Sequence, residues 1–233
     1  IGHTYEYWHR GRPGVDAIRW EIVPKFIPRR DISPSDFIER LTRDIGSKSG
    51  GDESETSLGN AISEVIGGIV THFQEIEGIP NPKFSEFQYR ATRDGLFDAL
   101  GYGGRGTVLV AGVGSGKTLG FMLPPLILAK RDLIQGKRPY GAHLFLYPRK
   151  ALAIDQFSKA LKPYAKAVGI PILQVHSEMS KHYKSLDTKS VYRGITRIHA
   201  GNNKPRLIVS SLETLKNRIS HPTIVGGLFS RLE

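Results

Sequence analysis

Eight consecutive residues, Ala111, Gly112, Val113, Gly114, Ser115, Gly116, Lys117 and Thr118, set three glycines against a lysine and a hydroxyl. Small residues let successive backbone N–H groups turn to one side and surround phosphate oxygens. A helix starting at their end adds unpaired N–H groups and the positive end of its dipole. In that arrangement Lys117 reaches the β- and γ-phosphates, and the Thr118 hydroxyl ligates Mg²⁺. The spacing predicts a site for a nucleoside triphosphate, ATP or GTP; a glycine-rich turn with a surface lysine is the bland alternative. Such a loop needs a strand leading in and a helix leading out.

Both are written around it. Residues 107–111 (TVLVA) form a short apolar run expected to be a buried strand, and 117–130 a helix interrupted at Pro124 and Pro125. A helix is expected over 84–100, strands over 142–147, 170–175 and 207–210, a helix over 151–168, and another from Leu212. Strands separated by helices imply an α/β fold, a parallel sheet with helices on both faces and ligands at the carboxyl ends of the strands. Residues 1–80 differ and are expected to form a mostly helical accessory module. Ile18, Trp20 and Ile22 alternate with charged residues as in a short strand. Ser33, Pro34 and Asp36 mark a helix start, with Phe37, Ile38, Leu41 and Ile45 as its apolar face and Gly46 as its stop. A polar linker follows over 47–56. A second helix then carries Ile62, Val65, Ile66, Ile69, Phe73 and Ile76, closed by Gly78 and Pro80.

The 233 residues hold 33 Lys and Arg against 22 Asp and Glu, a net charge of +11 with His neutral. The excess is local: residues 1–80 have 9 basic and 13 acidic side chains, so the positive balance lies wholly in 81–233. A localised basic surface suits a polyanion, nucleic acid above all, although a solvated surface is the ordinary alternative. No apolar run approaches the ~18 residues that cross a bilayer. Cysteine is absent, which excludes disulfide scaffolds and thiolate metal sites. The expectation is a cytoplasmic protein without membrane contact, and a chain starting at Ile1 reads as part of something larger.

Four segments in order resemble superfamily 2 helicases. Residues 116–124 (GKTLGFMLP) resemble their first motif. Residues 146–156 (LYPRKALAIDQ) resemble motif Ia of large DExH helicases of the Lhr-like and MrfA-like groups. Residues 205–215 (PRLIVSSLETL) resemble motif Ib, with Leu212 replacing a customary proline. Phe84 and Gln88 to Ala91 are similar to the Gln motif that reads adenine, at a longer spacing from Lys117 than usual. The chain also resembles the antiviral DISARM helicase and related multidomain defence helicases. The resemblance implies a RecA-like P-loop domain over 81–233 that binds ATP and Mg²⁺. It implies that Gln88 contacts the base, and that Pro148, Arg149, Lys150, Gln156, Ser210 and Ser211 grip the backbone of one nucleic-acid strand. DNA is favoured over RNA and binding is sequence-independent. Alternatives stay open: Arg149 and Lys150 as a solvated helix start, Ser211 as an N-cap. Asp155 reads as a structural hydrogen-bonding partner. The basic stretch 177–205 reads as a flexible solvated loop, with a nucleic-acid-contacting insertion as the alternative. Tyr5, Tyr7 and Trp8 read as core or subunit packing, with base stacking as the alternative, and His176, His182 and His199 have no metal-like spacing.

A motor of this class also needs an apolar strand ending in Asp-Glu-x-His and a second RecA domain. Neither is found in the sequence, so the chain is read as the N-terminal part of a helicase, cut before the Walker B strand. Alone it is expected to bind nucleotide weakly and hydrolyse it negligibly, the rest of the helicase or a protein partner completing it. The competing class is a non-motor module that uses ATP to switch its hold on DNA or protein.

Overall fold

The computed structural model describes residues 29–49, 53–104, 106–112, 114–136, 143–175 and 206–219. The alternating pattern at Ile18, Trp20 and Ile22 and the basic stretch 177–205 lie outside these. Helix α1 (Pro34–Ser49) begins as predicted: Ser33 Oγ accepts the Asp36 N–H at 3.1 Å, and Pro34 takes the first helical position. Gly46 does not end it. A glycine stops a helix by adopting a left-handed conformation, and Gly46 has no positive φ. Most of the expected linker is therefore helical, for α2 (Glu53–Glu75) begins at Glu53. Its buried stripe runs through Leu58, Ile62, Val65, Ile66 and Ile69, while Ile76 lies past its end, exposed.

Strand β1 (Arg30–Ile32) pairs antiparallel with β2 (Phe84–Ser85). Helix α3 (Glu86–Ala99) starts two residues later than expected because Ser85 caps it. Helix α4 (Lys117–Ile134) passes unbroken through Pro124 and Pro125. Each proline lacks an N–H and costs a helix interior about 3 kcal/mol. Burial of Met122, Leu123, Leu126 and Ile127 against α2 and α3 outweighs this. Pro124 also has a place to sit, since any Cβ on Gly95 would lie 2.8 Å from its Cγ.

The second sheet is parallel, ordered β3 (His143–Tyr147), β5 (Leu207–Ser211), β4 (Ile172–Val175). All five residues of β5 are buried, so both faces of the central strand are closed to water. A helical rod joins β3 to β4: α5 (Lys150–Gln156), a π-helical turn (Phe157–Leu161) and α6 (Lys162–Ala167). Helix α7 (Leu212–Ile219) leaves β5.

One expected strand is not formed among the described residues. Residues 107–111 form no ladder among the described residues, and Val108 and Val110 are 87% and 86% exposed. An apolar run tells what a segment can bury; pairing needs a neighbour for its N–H and C=O groups.

A single apolar cluster draws on α1 to α6 and β5, so packing runs across residue 80 without a break. Gly68 brings α2 so near α6 that a Cβ would lie 2.8 Å from the Ala167 carbonyl oxygen. Lys130 ties three helices together, its Nζ 2.7 Å from Glu64 Oε2 and 3.1 Å from the Val168 carbonyl. On the other side, Arg40 of α1 lies 3.0 Å from Glu86 Oε2 and 4.0 Å over the Tyr89 ring, and the Tyr89 hydroxyl bonds Asp44. Burial, helped by Asp44, pushes the Tyr89 hydroxyl up to about 12. No described helix is long and apolar enough to cross a membrane.

Candidate functional site

The loop before α4 is built by two left-handed glycines, Gly114 (φ 82°) and Gly116 (φ 81°), a conformation costing other residues roughly 1–2 kcal/mol. Ser115 folds the loop on itself: its hydroxyl donates to the Gly112 carbonyl at 2.8 Å and its N–H to the same oxygen at 3.4 Å. The Lys117 ammonium donates to the Ala111 carbonyl across the loop mouth. Gly116 is the N-cap residue and has no side chain, so no side-chain cap closes the first turn of α4. A Cβ placed on Gly112 or Gly114 would meet nothing within 4 Å. The result is a bare helix start behind an open, glycine-lined turn, with an ammonium beside it and the half-buried Thr118 in its first turn. That is a fit for an anionic phosphate chain. Val113 lies outside the described residues.

Helix α3 holds this loop at both ends. Near the entry, the Thr107 hydroxyl donates to Asp98. At the exit, Gln88 Nε2 donates to the Gly116 carbonyl at 3.5 Å. The other end of the same amide is occupied too: Gln88 Oε1 accepts the Ser85 N–H at 2.9 Å, while the Gln88 N–H donates to Ser85 Oγ at 3.2 Å, a reciprocal capping box. Gln88 is 3% exposed. Phe84, 1% exposed, packs on Phe37 with ring centroids 4.6 Å apart. In this structure the Gln88 amide is thus bonded within the protein at both of its ends. Ser85 and Asp98 were not singled out from the sequence. The Ser85-to-Gln88 spacing is itself a capping-box signature, whereas nothing local marks Asp98.

The second cluster lies at the carboxyl end of the parallel sheet. Tyr147 of β3 stands opposite Ser211 of β5, so the segments leaving these two strands emerge side by side. From β3 come Pro148 and Arg149, both exposed, then Lys150, half-buried at the start of α5. Arg149 is the N-cap in extended conformation, and its side chain makes no cap hydrogen bond. Gln156 ends α5 and donates to Asp155 Oδ2 at 3.5 Å; Asp155 also pairs with Lys159 at 2.6 Å, the structural role expected of it. Burial pushes the Tyr147 hydroxyl up to about 12.

The serines of β5 behave otherwise than expected. Ser210 and Ser211 are fully buried, the Ser210 hydroxyl donating to the Ser211 carbonyl at 3.4 Å. Ser211 Oγ accepts the Thr214 N–H at 3.2 Å and lies 2.9 Å from Thr214 Oγ1, which makes it the N-cap of α7. Both hydroxyls are thus bonded within the protein in this structure. The same short polar side chain serves either purpose, and the sequence left both open.

Packing links the two clusters. Phe121, one turn into α4, meets Phe145 of β3 with centroids 6.1 Å apart, so the helix behind the glycine loop lies against the strand that delivers Arg149. Among the described residues no group of three or more His, Asp or Glu side chains is placed to hold a metal. A cation here would take its oxygen ligands chiefly from phosphate and water, with Thr118 the residue able to add one.

The sequence profile of DEAD/DEAH box helicases matches residues 88–222. No curated protein and no solved structure matches the chain. The matched span holds the glycine loop, the strand tip at Arg149 and the capped strand β5, and it covers more than half of the chain. The chain belongs to the DEAD/DEAH box helicase family, whose domains use ATP to act on nucleic acid.

Proposed function

We propose that the chain is the nucleotide-gripping half of an ATP-driven motor that moves along DNA without regard to sequence. The observation that carries this is the uncapped start of α4 behind Gly114 and Gly116, stacked through Phe121 on the strand that leads to Arg149. In this reading the backbone N–H groups of the loop and of the first turn of α4 hold the triphosphate. Lys117 leaves the Ala111 carbonyl for the β- and γ-phosphates, and the Thr118 hydroxyl faces Mg²⁺, which neutralises the developing phosphate charge. Arg149 and Lys150 hold the backbone of one strand, fixing position but reading no base. The π-helical turn sits directly behind α5, and such turns recur where a helix adjusts at functional sites. The closer likeness to the Lhr-like, MrfA-like and DISARM helicases, with a role in antiviral defence, rests on residues 146–156 and 205–215.

Titration of the chain with ATP and Mg²⁺, with and without single-stranded DNA, tests this. Lys117→Ala is expected to weaken ATP binding by about 100-fold or abolish hydrolysis in the complete motor. Unchanged ATP affinity in that variant would contradict the proposal.

A further inference from the structure

The helical rod that joins β3 to β4 has a dry inner face and a charged outer one. Ala153, Leu161 and Ala165 are buried, whereas Lys159, Lys162 and Lys166 are exposed. Lys162 and Lys166 are four residues apart in α6 and so share a face, and Lys159 lies in the turn before them. The only acid of the rod, Asp155, pairs with Lys159 at 2.6 Å and takes up that charge. Two acids that reach toward the rod from α2 and the turn after it are engaged: Glu64 holds Lys130 at 2.7 Å, and Glu77 accepts the Tyr164 hydroxyl at 3.3 Å. Lys162 and Lys166 make no ion pair among the described residues. A merely solvated helix face usually mixes both signs. This one carries a single sign beyond Asp155. The row also begins where the strand tip ends, for Arg149 and Lys150 stand at the head of the rod. Lys166 lies roughly 25 Å farther along, at about 1.5 Å per helical residue.

Resting on the nucleic-acid reading above, we propose that the outer face of this rod is a second nucleic-acid surface. Through Lys162 and Lys166 it seats duplex DNA beside the single strand gripped at Arg149. A row of cations on a helical rod is straight and fixed in length. Duplex DNA is stiff and carries about one negative charge per 1.7 Å of its axis, so it can lie along such a row. An acidic protein would meet the same charges. Duplex DNA is favoured because the cations at the head of the rod are those assigned to a DNA backbone, and one polyanion then covers both. The chain thereby sits at a junction between single strand and duplex.

The test measures affinity of the full chain across salt for two probes. One is a single strand of about 10 nucleotides, and the other is the same strand continued into a duplex of about 12 base pairs. The slope of log affinity against log salt is expected to be steeper with the tailed duplex. Lys162→Ala with Lys166→Ala is expected to reduce that slope by about 2 and to leave the single-strand slope unchanged. Lys162→Gln with Lys166→Gln, which keeps the apolar stems, is expected to do the same. An unchanged tailed-duplex slope overturns the proposal and leaves the grip at Arg149 standing. An equal fall with both probes also overturns it, since the row would then hold the single strand. Binding of neither probe by the wild-type chain overturns the nucleic-acid reading as well.

Discussion

Helix starts in this molecule come in two kinds. Those of α1, α3 and α7 are closed by Ser33, Ser85 and Ser211, each accepting a backbone N–H from the turn that follows. Those of α4 and α5 begin at Gly116 and Arg149, with no side-chain cap. The unpaired N–H groups of a helix start need a partner, and a capping serine supplies it permanently. Both the α4 and the α5 start are followed or flanked by cations, Lys117 at one and Arg149 with Lys150 at the other. Capped ends serve the fold, and in the proposed function the open ends receive an anion.

Closing an open end is expected to do the most harm. Gly116→Ala puts a Cβ against Gln88 and forces a left-handed alanine, and should lower triphosphate affinity about tenfold or more in a titration. Retained affinity would mean the loop does not depend on this geometry. At the other open end, Arg149→Ala with Lys150→Ala should reduce the slope of log affinity for single-stranded DNA against log salt by about 2. An unaltered slope would remove the strand tip from the DNA path. Ser211→Ala, at a capped end, should cost about 1 kcal/mol in denaturant unfolding and leave that slope alone. A changed slope would return the hydroxyl to the nucleic-acid surface.

The smallest effect is expected at the amino end of β3, away from Arg149. Burial holds the His143 imidazole below its ordinary 6.5. The unfolded chain takes up this proton at higher pH than the folded one, so the folded state loses stability as pH falls through about 6.5 and below. His143→Gln should flatten that part of the stability curve without altering triphosphate affinity at neutral pH. Thermal melts across pH 5 to 7.5 decide it, and a wild-type slope in the variant would assign the effect elsewhere.

The parallel strands, the glycine loop and most helices were readable because each rests on a local pattern: 3.6-residue periodicity in α1 and α2, short apolar runs in β3, β4 and β5. The failures share a cause, which is that the outcome lay with a distant neighbour. Helix α4 continues through Pro124 and Pro125, and Pro124 is received by Gly95 of α3. Residues 107–111 carry a strand's composition but pair with nothing described. Gln88 and Ser211 each hold a partner inside the chain, Gln88 in a capping box with Ser85 and Ser211 at the start of α7. The packing of α1 and α2 into the same core as α4 could not be seen either, since amphipathic helices do not name the surface they cover.

Backbone amide shifts followed by NMR during titration with ATP and Mg²⁺ bear on all of this at once. If the open start of α4 receives the triphosphate, the N–H signals of Gly114, Gly116, Lys117 and Thr118 move saturably, while those of Asp36 and Thr214, already bonded to their capping serines, stay in place. Saturable binding that left the Lys117 and Thr118 signals unmoved would contradict the account.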